Sequence, residues 1–441
     1  MGAGAVTLGG NRQVTVTAGT LTVGGVVGGG FGLTKSGAGK LTLSGVNAYS
    51  GATAINAGTL EIAGAGQLGS GAYAPGIVNN GTLHINSSAN QTLSGVISGA
   101  AGALVKSGAG TLTLTNANTY GGGTTISPGG GTLLVSGPGA ALGGGNISVG
   151  AGSTLTFATT GSIRTLPGNI SGAGSINKGG TFRYYYSGDN GGFAGTYTQT
   201  GGDTSFLAAT AASASARWVM DGAWMVFNLP ASGTLHFGAL SGGANTWNDS
   251  TTAVTTLEVG ALGTDGVYSG IIGQGYGGAT ALTKVGAGRL ILTAANVYTG
   301  ATTIGGGVLQ IGDGGTTGSL GTGPVTDHAS LVFNRSNDLT VAQNIDGTGT
   351  LTQAGPGTLT LAGANSYAGT TLVSQGTLLL NGTTSTGGLI AVSAGASFGG
   401  GGSGGGHLRG ERAFSAPGGG HVGQPDGSRR AEPGRRHRAD V

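Results

Sequence analysis

Along most of this chain, apolar and small polar residues alternate with period two. In Thr111-Leu112-Thr113-Leu114-Thr115 the leucines take one face and the threonines the other, as a strand with one buried face requires. Such runs last four to six residues before Gly or Asn breaks them. Val, Ile and Thr suit a pleated strand, and Gly supplies the positive φ angles that corners need. Helical periodicity is nearly absent, with Leu207-Ala208-Ala209-Thr210-Ala211-Ala212 the one short Ala-rich candidate. The pattern predicts an all-β chain with many turns.

Four stretches repeat one another. Each begins as Leu33-Thr34-Lys35-Ser36-Gly37-Ala38-Gly39-Lys40-Leu41-Thr42-Leu43 does and continues to Asn47-Ala48-Tyr49; the others run from Leu104, Leu282 and Leu351. Their recurring positions are Gly37, Gly39, Asn47 and Tyr49; Gly108, Gly110, Asn118 and Tyr120; Gly286, Gly288, Asn296 and Tyr298; and Gly355, Gly357, Asn365 and Tyr367. A faded fifth copy runs from Ile176, with Asn190 in register and Phe193 in place of the Tyr. The Asn markers are 71, 72, 106 and 69 residues apart, which suggests units of about 35 residues, within the solenoid range. We therefore expect a right-handed parallel β-helix, with Asn47-type residues stacked as amide ladders along its axis. The motif lysines (Lys35, Lys106, Lys284) are expected on an exposed strand face, where they discourage lateral pairing. Gln353 replaces them in the fourth copy, which argues against a shared chemical duty.

Composition narrows this further. With 102 glycines and only 7% charged residues, the chain is unlike an ordinary globular enzyme. Residues 1–400 hold eleven Lys/Arg and eleven Asp/Glu, so the net charge of +3 resides wholly in residues 401–441. A body without a basic face gives no electrostatic basis for binding nucleic acid. The chain has no cysteine, which suits an exported protein. Its first residues show no signal peptide, so a longer precursor is expected.

Four segments emerge: β-helix repeats over 1–181, an aromatic-rich divergent continuation over 182–265, further repeats over 266–400, and an Arg/Gly/Pro-rich tail over 401–441. The tail is expected to be disordered, and an out-of-frame reading of a GC-rich gene would yield such a sequence. Residues 182–247 hold 12 of the 24 aromatic residues. Trp218 to Val226 reads as a hairpin turning on Asp221-Gly222. The segment reads as an aromatic plug or as a contact platform, with Tyr184, Tyr186, Trp218, Trp224 and Trp247 as the contact candidates.

Catalytic, cofactor and metal sites are not expected. The Gly64-Gly66-Gly69 and Gly273-Gly275-Gly278 matches to a dinucleotide fingerprint lack a following helix. Asp189, Asp203 and Asp221, with Arg183 and Arg217, are the nearest thing to an acidic group. His84, His236 and His328 show no metal spacing.

The run Leu-Thr-Lys-x-Gly-x-Gly-x-Leu-x-Leu, then Asn-x-Tyr-x-Gly, then Gly-x-Leu-x-Ile, resembles the passenger-associated transport repeat of autotransporters over 33–62, 104–135, 282–311 and 351–380. The resemblance implies a non-enzymatic β-helical stalk at the cell surface or outer membrane of a Gram-negative bacterium, or secreted from it, whose repeats assist secretion. It implies a translocator β-barrel in the full-length protein, which this sequence does not supply. The alternatives are an adhesin that binds a host or bacterial surface glycan or protein through the aromatic region, and a β-helix polysaccharide lyase or hydrolase.

Overall fold

The computed structural model describes residues 4–384, 388–404 and 407–410. Across them the chain winds a parallel β-solenoid of about 19 turns, with no α-helix. Every ladder joins parallel strands: Lys40–Leu43 pairs with Thr59–Gly64, and that strand with Thr82–Ser87. The steps are 19 and 23 residues, so a turn is far shorter than the expected unit of about 35. Each turn visits three walls. Leu33–Ser36 lies in the first, Lys40–Leu43 in the second and Leu112–Leu114 in the third.

Alternate residues fill the interior. Leu41, Leu60, Leu83 and Leu104 are buried and successive in one column, which removes roughly 2 kcal/mol worth of apolar surface per Leu from water. Corners fall at glycines. Gly58, Gly307 and Gly376 share φ angles of 67°, 64° and 64°, and a Cβ at any of them would stand 2.4 Å from a carbonyl of the turn below. Only glycine fits such a corner.

The repeat copies do not stack on one another. The first copy starts on the first wall and the second on the second, while the faded copy's Ser175–Lys178 lies on the third, the wall of Leu112–Leu114. The copies at Leu282 and Leu351 again begin on consecutive walls. A spacing of 69 to 72 residues is thus three turns and a third. Asn47, Asn118 and Asn190 consequently face three different directions, and the expected amide ladder does not exist.

Around 182–247 the second wall loses its strands between Ile170–Ser171 and Gly233–Phe237. Large side chains fill the space: Tyr186, Tyr197, Phe206, Trp218 and Phe237 pack as a cluster, with contacting ring centroids 5.0 to 6.3 Å apart. Arg217–Met220 and Trp224–Phe227 are not a hairpin. They belong to different walls, each paired in parallel with neighbouring turns, and Asp221-Gly222 is a corner. At the other end, Ser403–Gly404 and His407–Gly410 extend the ladders past position 400. The remainder of the tail reading, 411–441, lies outside the described residues.

Candidate functional site

The motif positions put their polar chemistry inside the solenoid. Alternation places Lys35, Lys106 and Lys284 on the same side as Leu33, Leu104 and Leu282, and all three are buried, contrary to the exposed placement expected of them. Each ammonium donates to carbonyls of the glycine corner that follows and to one carbonyl a turn further on. Lys35 Nζ reaches Ser36, Gly37 and Ala57 O at 3.0, 2.7 and 3.2 Å. Lys284 Nζ reaches Val285, Gly286 and Gly306 O at 2.6, 2.9 and 3.0 Å. Lys106 bonds Gly108 O and, at 2.7 Å, Gly130 O. In the faded copy Lys178 bonds Phe182 and Gly201 O. Burial lowers the pKa of Lys106 and Lys178 to about 8.

Each asparagine replaces a missing inter-turn backbone bond. Asn118 Oδ1 accepts from Ile97 N at 2.9 Å, one turn below, and Nδ2 donates to Ala141 O at 2.8 Å, one turn above. Asn47, Asn190 and Asn296 repeat both contacts, and Asn365 repeats the first. The tyrosine hydroxyls of Tyr49, Tyr120, Tyr298 and Tyr367 meet the Oγ1 of the threonine four residues on at 2.6 to 2.8 Å. In the faded copy both partners change together, to Phe193 and Tyr197. None of these groups faces a ligand.

The expected contact residues separate into two sets. Tyr184, Tyr186 and Trp218 are only 1–2% exposed. They occupy inward strand positions in the aromatic core, so they form no contact surface. Trp224 is 38% exposed and Trp247 partly so. With Tyr276, 77% exposed, they form an outer ladder of near-perpendicular rings: Trp224 to Trp247 at 5.8 Å and 82°, Trp247 to Tyr276 at 5.5 Å and 87°. These rings border a groove of about 550 Å³ whose other walls are Arg183, Val226, Asn228 and Asp249. Arg183 crosses it, with Nη2 3.2 Å from Asp203 Oδ2 and Nη1 3.4 Å from Asp249 Oδ2. Tyr276 and Asp249 were invisible to sequence reasoning, because loops bring them there from later turns.

Asp189, Asp203 and Asp221, the nearest thing to an acidic group in the sequence, do not converge. Asp189 caps Gly191 N and Asp221 caps Gly243 N, while Arg217 reaches Thr264. On the second wall, Ser107 Oγ lies 2.7 Å from His84 Nε2, and His84 Nδ1 lies 3.4 Å from Glu61 Oε1. This has the order of a nucleophile, base and orienting acid. Burial would raise the Glu61 carboxyl, but hydrogen bonds from Lys40, Asn86 and Thr42 hold it below its usual value. Yet the Ser107 and Gly108 amides both donate to Ile85 O, so neither is available to an oxyanion. Among the described residues, no three His, Asp or Glu converge as metal ligands, and no helix is long and apolar enough to cross a membrane.

Comparison with known proteins agrees with the repeat. The family described as Passenger-associated-transport-repeat matches at residues 33–62, 104–135, 282–311 and 351–380. A curated relative, the "Adhesin BmaC autotransporter" of Brucella suis biovar 1 (strain 1330), is 42% identical over 95 residues, 21% of this chain and 3% of the adhesin. The match therefore spans a small fraction of that relative's length. No solved structure matches. The chain is an autotransporter-passenger-like β-helical protein carrying these repeats.

Proposed function

We propose that this chain is a non-enzymatic portion of an autotransporter passenger, a β-helical stalk outside a Gram-negative cell whose repeats assist passage across the outer membrane. The full-length protein would carry a translocator β-barrel. One observation supports this most: Lys, Asn and Tyr of the repeat spend their polar groups on backbone and threonine within three neighbouring turns. A solenoid turn contacts only its neighbours. Such closures can form turn by turn as the chain emerges, with no distant segment required.

The test is export of the full chain fused between a secretory signal peptide and a heterologous translocator barrel, scored by protease accessibility on intact cells. Replacing Lys35, Lys106 and Lys284 together by Met is expected to lower surface display several-fold, and replacing them by Gln to lower it much less. Equal display by all three forms would refute the secretion role.

A second reading, an adhesive passenger, is supported by the exposed ladder of Trp224, Trp247 and Tyr276 and by the relative named an adhesin. The polysaccharide-cleaving alternative has less behind it, because Asp203 and Asp249 are both engaged by Arg183.

A further inference from the structure

We propose that the groove between Arg183 and Tyr276 binds a short run of a neutral saccharide; this rests on the adhesive reading and names its ligand.

The groove's charge selects against other ligands. Arg183 stands between Asp203 and Asp249. A polyanion entering the groove meets the Asp249 carboxylate and a guanidinium already neutralised by Asp203 and Asp249, and a cation meets that guanidinium. An apolar peptide side chain would have to cover the Asn228 amide and the Asp249 carboxylate, at the cost of stripping them of water. A hydroxyl-rich neutral ligand meets none of these penalties, because each hydroxyl can both donate and accept. Arg183 is held by Asp203 through Nε and Nη2 and by Asp249 through Nη1, and its guanidinium lies about 6.0 Å from the Tyr185 ring centroid, so this wall of the groove is rigid and preorganised. Asn228 adds donors and an acceptor.

The rings supply the complementary apolar surface. A sugar ring presents C–H groups on one face and hydroxyls at its rim, which suits an exposed indole or phenol beside fixed polar groups. The aromatic ladder follows successive turns of the solenoid, about 4.8 Å apart, so its rings are spread along the axis. Nothing in the solenoid interior depends on Tyr276, which is 77% exposed. It lies in a loop that reaches the groove, where its ring meets Trp247 edge-on.

The experiment uses the purified full chain with soluble neutral oligosaccharides: β-1,3- and β-1,4-glucan, mannan, galactan and N-acetylglucosamine hexamers. A sialylated and a sulfated oligosaccharide and choline serve as charged probes. Tryptophan fluorescence reports binding, because Trp218 is buried and only Trp224 and Trp247 line the groove. At least one neutral hexamer is expected to perturb the emission, with affinity falling at least tenfold in Tyr276→Ala and Trp247→Ala. Circular dichroism verifies that the variants fold; should Trp247→Ala unfold, Tyr276→Ala alone decides. Binding of charged probes only, of no probe, or of hexamers unaffected by Tyr276→Ala would overturn the proposal. The two readings separate on cells. If beads coated with the chain adhere equally to untreated and periodate-oxidised cells, and Tyr276→Ala abolishes both, the groove is adhesive but its ligand is not a saccharide.

Discussion

Gln353 occupies the place that Lys284 holds in the preceding copy, and with a neutral amide it closes the glycine corner, though without the Lys284 bond to the next turn. Its Nε2 donates to Gly355 O at 2.7 Å and Gly357 O at 2.9 Å, as the Lys284 ammonium donates to Val285, Gly286 and Gly306 O. What the position demands is therefore a long side chain ending in donors, and charge is incidental. Lys106→Gln is expected to cost at most about 1 kcal/mol. Lys106→Met strands the Gly108 and Gly130 carbonyls, at about 2 kcal/mol or more. Urea denaturation, with hydrogen exchange of the amides in these turns, measures both; equal losses would show that packing, not carbonyl bonding, matters.

Tyr120 and Thr124 share a buried hydroxyl–hydroxyl bond of 2.7 Å. Tyr120→Phe leaves Thr124 Oγ1 without that partner and should destabilise by about 1–2 kcal/mol. Adding Thr124→Val should recover part of the loss, because both ends of the bond are then apolar. A double-mutant cycle gives the coupling directly, and strict additivity of the two changes would rule out a shared bond.

Asn118 offers a sharper test of orientation. Asn118→Asp keeps the acceptor for Ile97 N but removes the donors to Asn116 and Ala141 O, and it places a charge beside those carbonyls. It should cost more than Asn118→Ala at pH 7, and the order should reverse at a pH low enough to protonate the new carboxyl. Thermal melts at the two pH values decide.

Asp327 introduces a pH dependence. It is buried, its Oδ1 accepts from Ala329 N, and its Oδ2 has no hydrogen-bond partner. Burial raises its pKa to about 6. Since an unfolded aspartate titrates near about 4, the folded chain holds this proton more tightly. Asp327 therefore contributes stability below pH about 4 that is lost as pH rises through about 6. Asp327→Asn should flatten stability across that window and exceed the parent at pH 7. An unchanged profile would mean that another group carries the dependence.

Much of this solenoid was legible beforehand. Alternation in Thr111 to Thr115 gave strands with one buried face, and the copies at Leu33, Leu104, Leu282 and Leu351 gave a repeat. Turn length was hidden, because copies 69 to 72 residues apart lie three turns and a third apart, and self-similarity reports the copy rather than the turn. The lysines were misplaced on general expectation about charge, although the parity of Leu33 and Lys35 already placed both on one face. Trp218 and Trp224 could not be separated by composition. Their parities differ relative to Met220 and Met225, but the corner between them resets the count. Tyr276 and Asp249 join the groove through long-range winding, which no local pattern encodes.

The advance of one wall per copy also sets a compass bearing. Excising residues 33–103, so that the strand from Leu104 takes the berth of the strand from Leu33, would shorten the rod and swing everything downstream through a third of a revolution. The groove of Trp224 and Trp247 would then look out in a new direction relative to the N-terminal end. Copy number thus works like the clocking of a screw, fixing the heading of a lateral feature as well as its distance along the shaft.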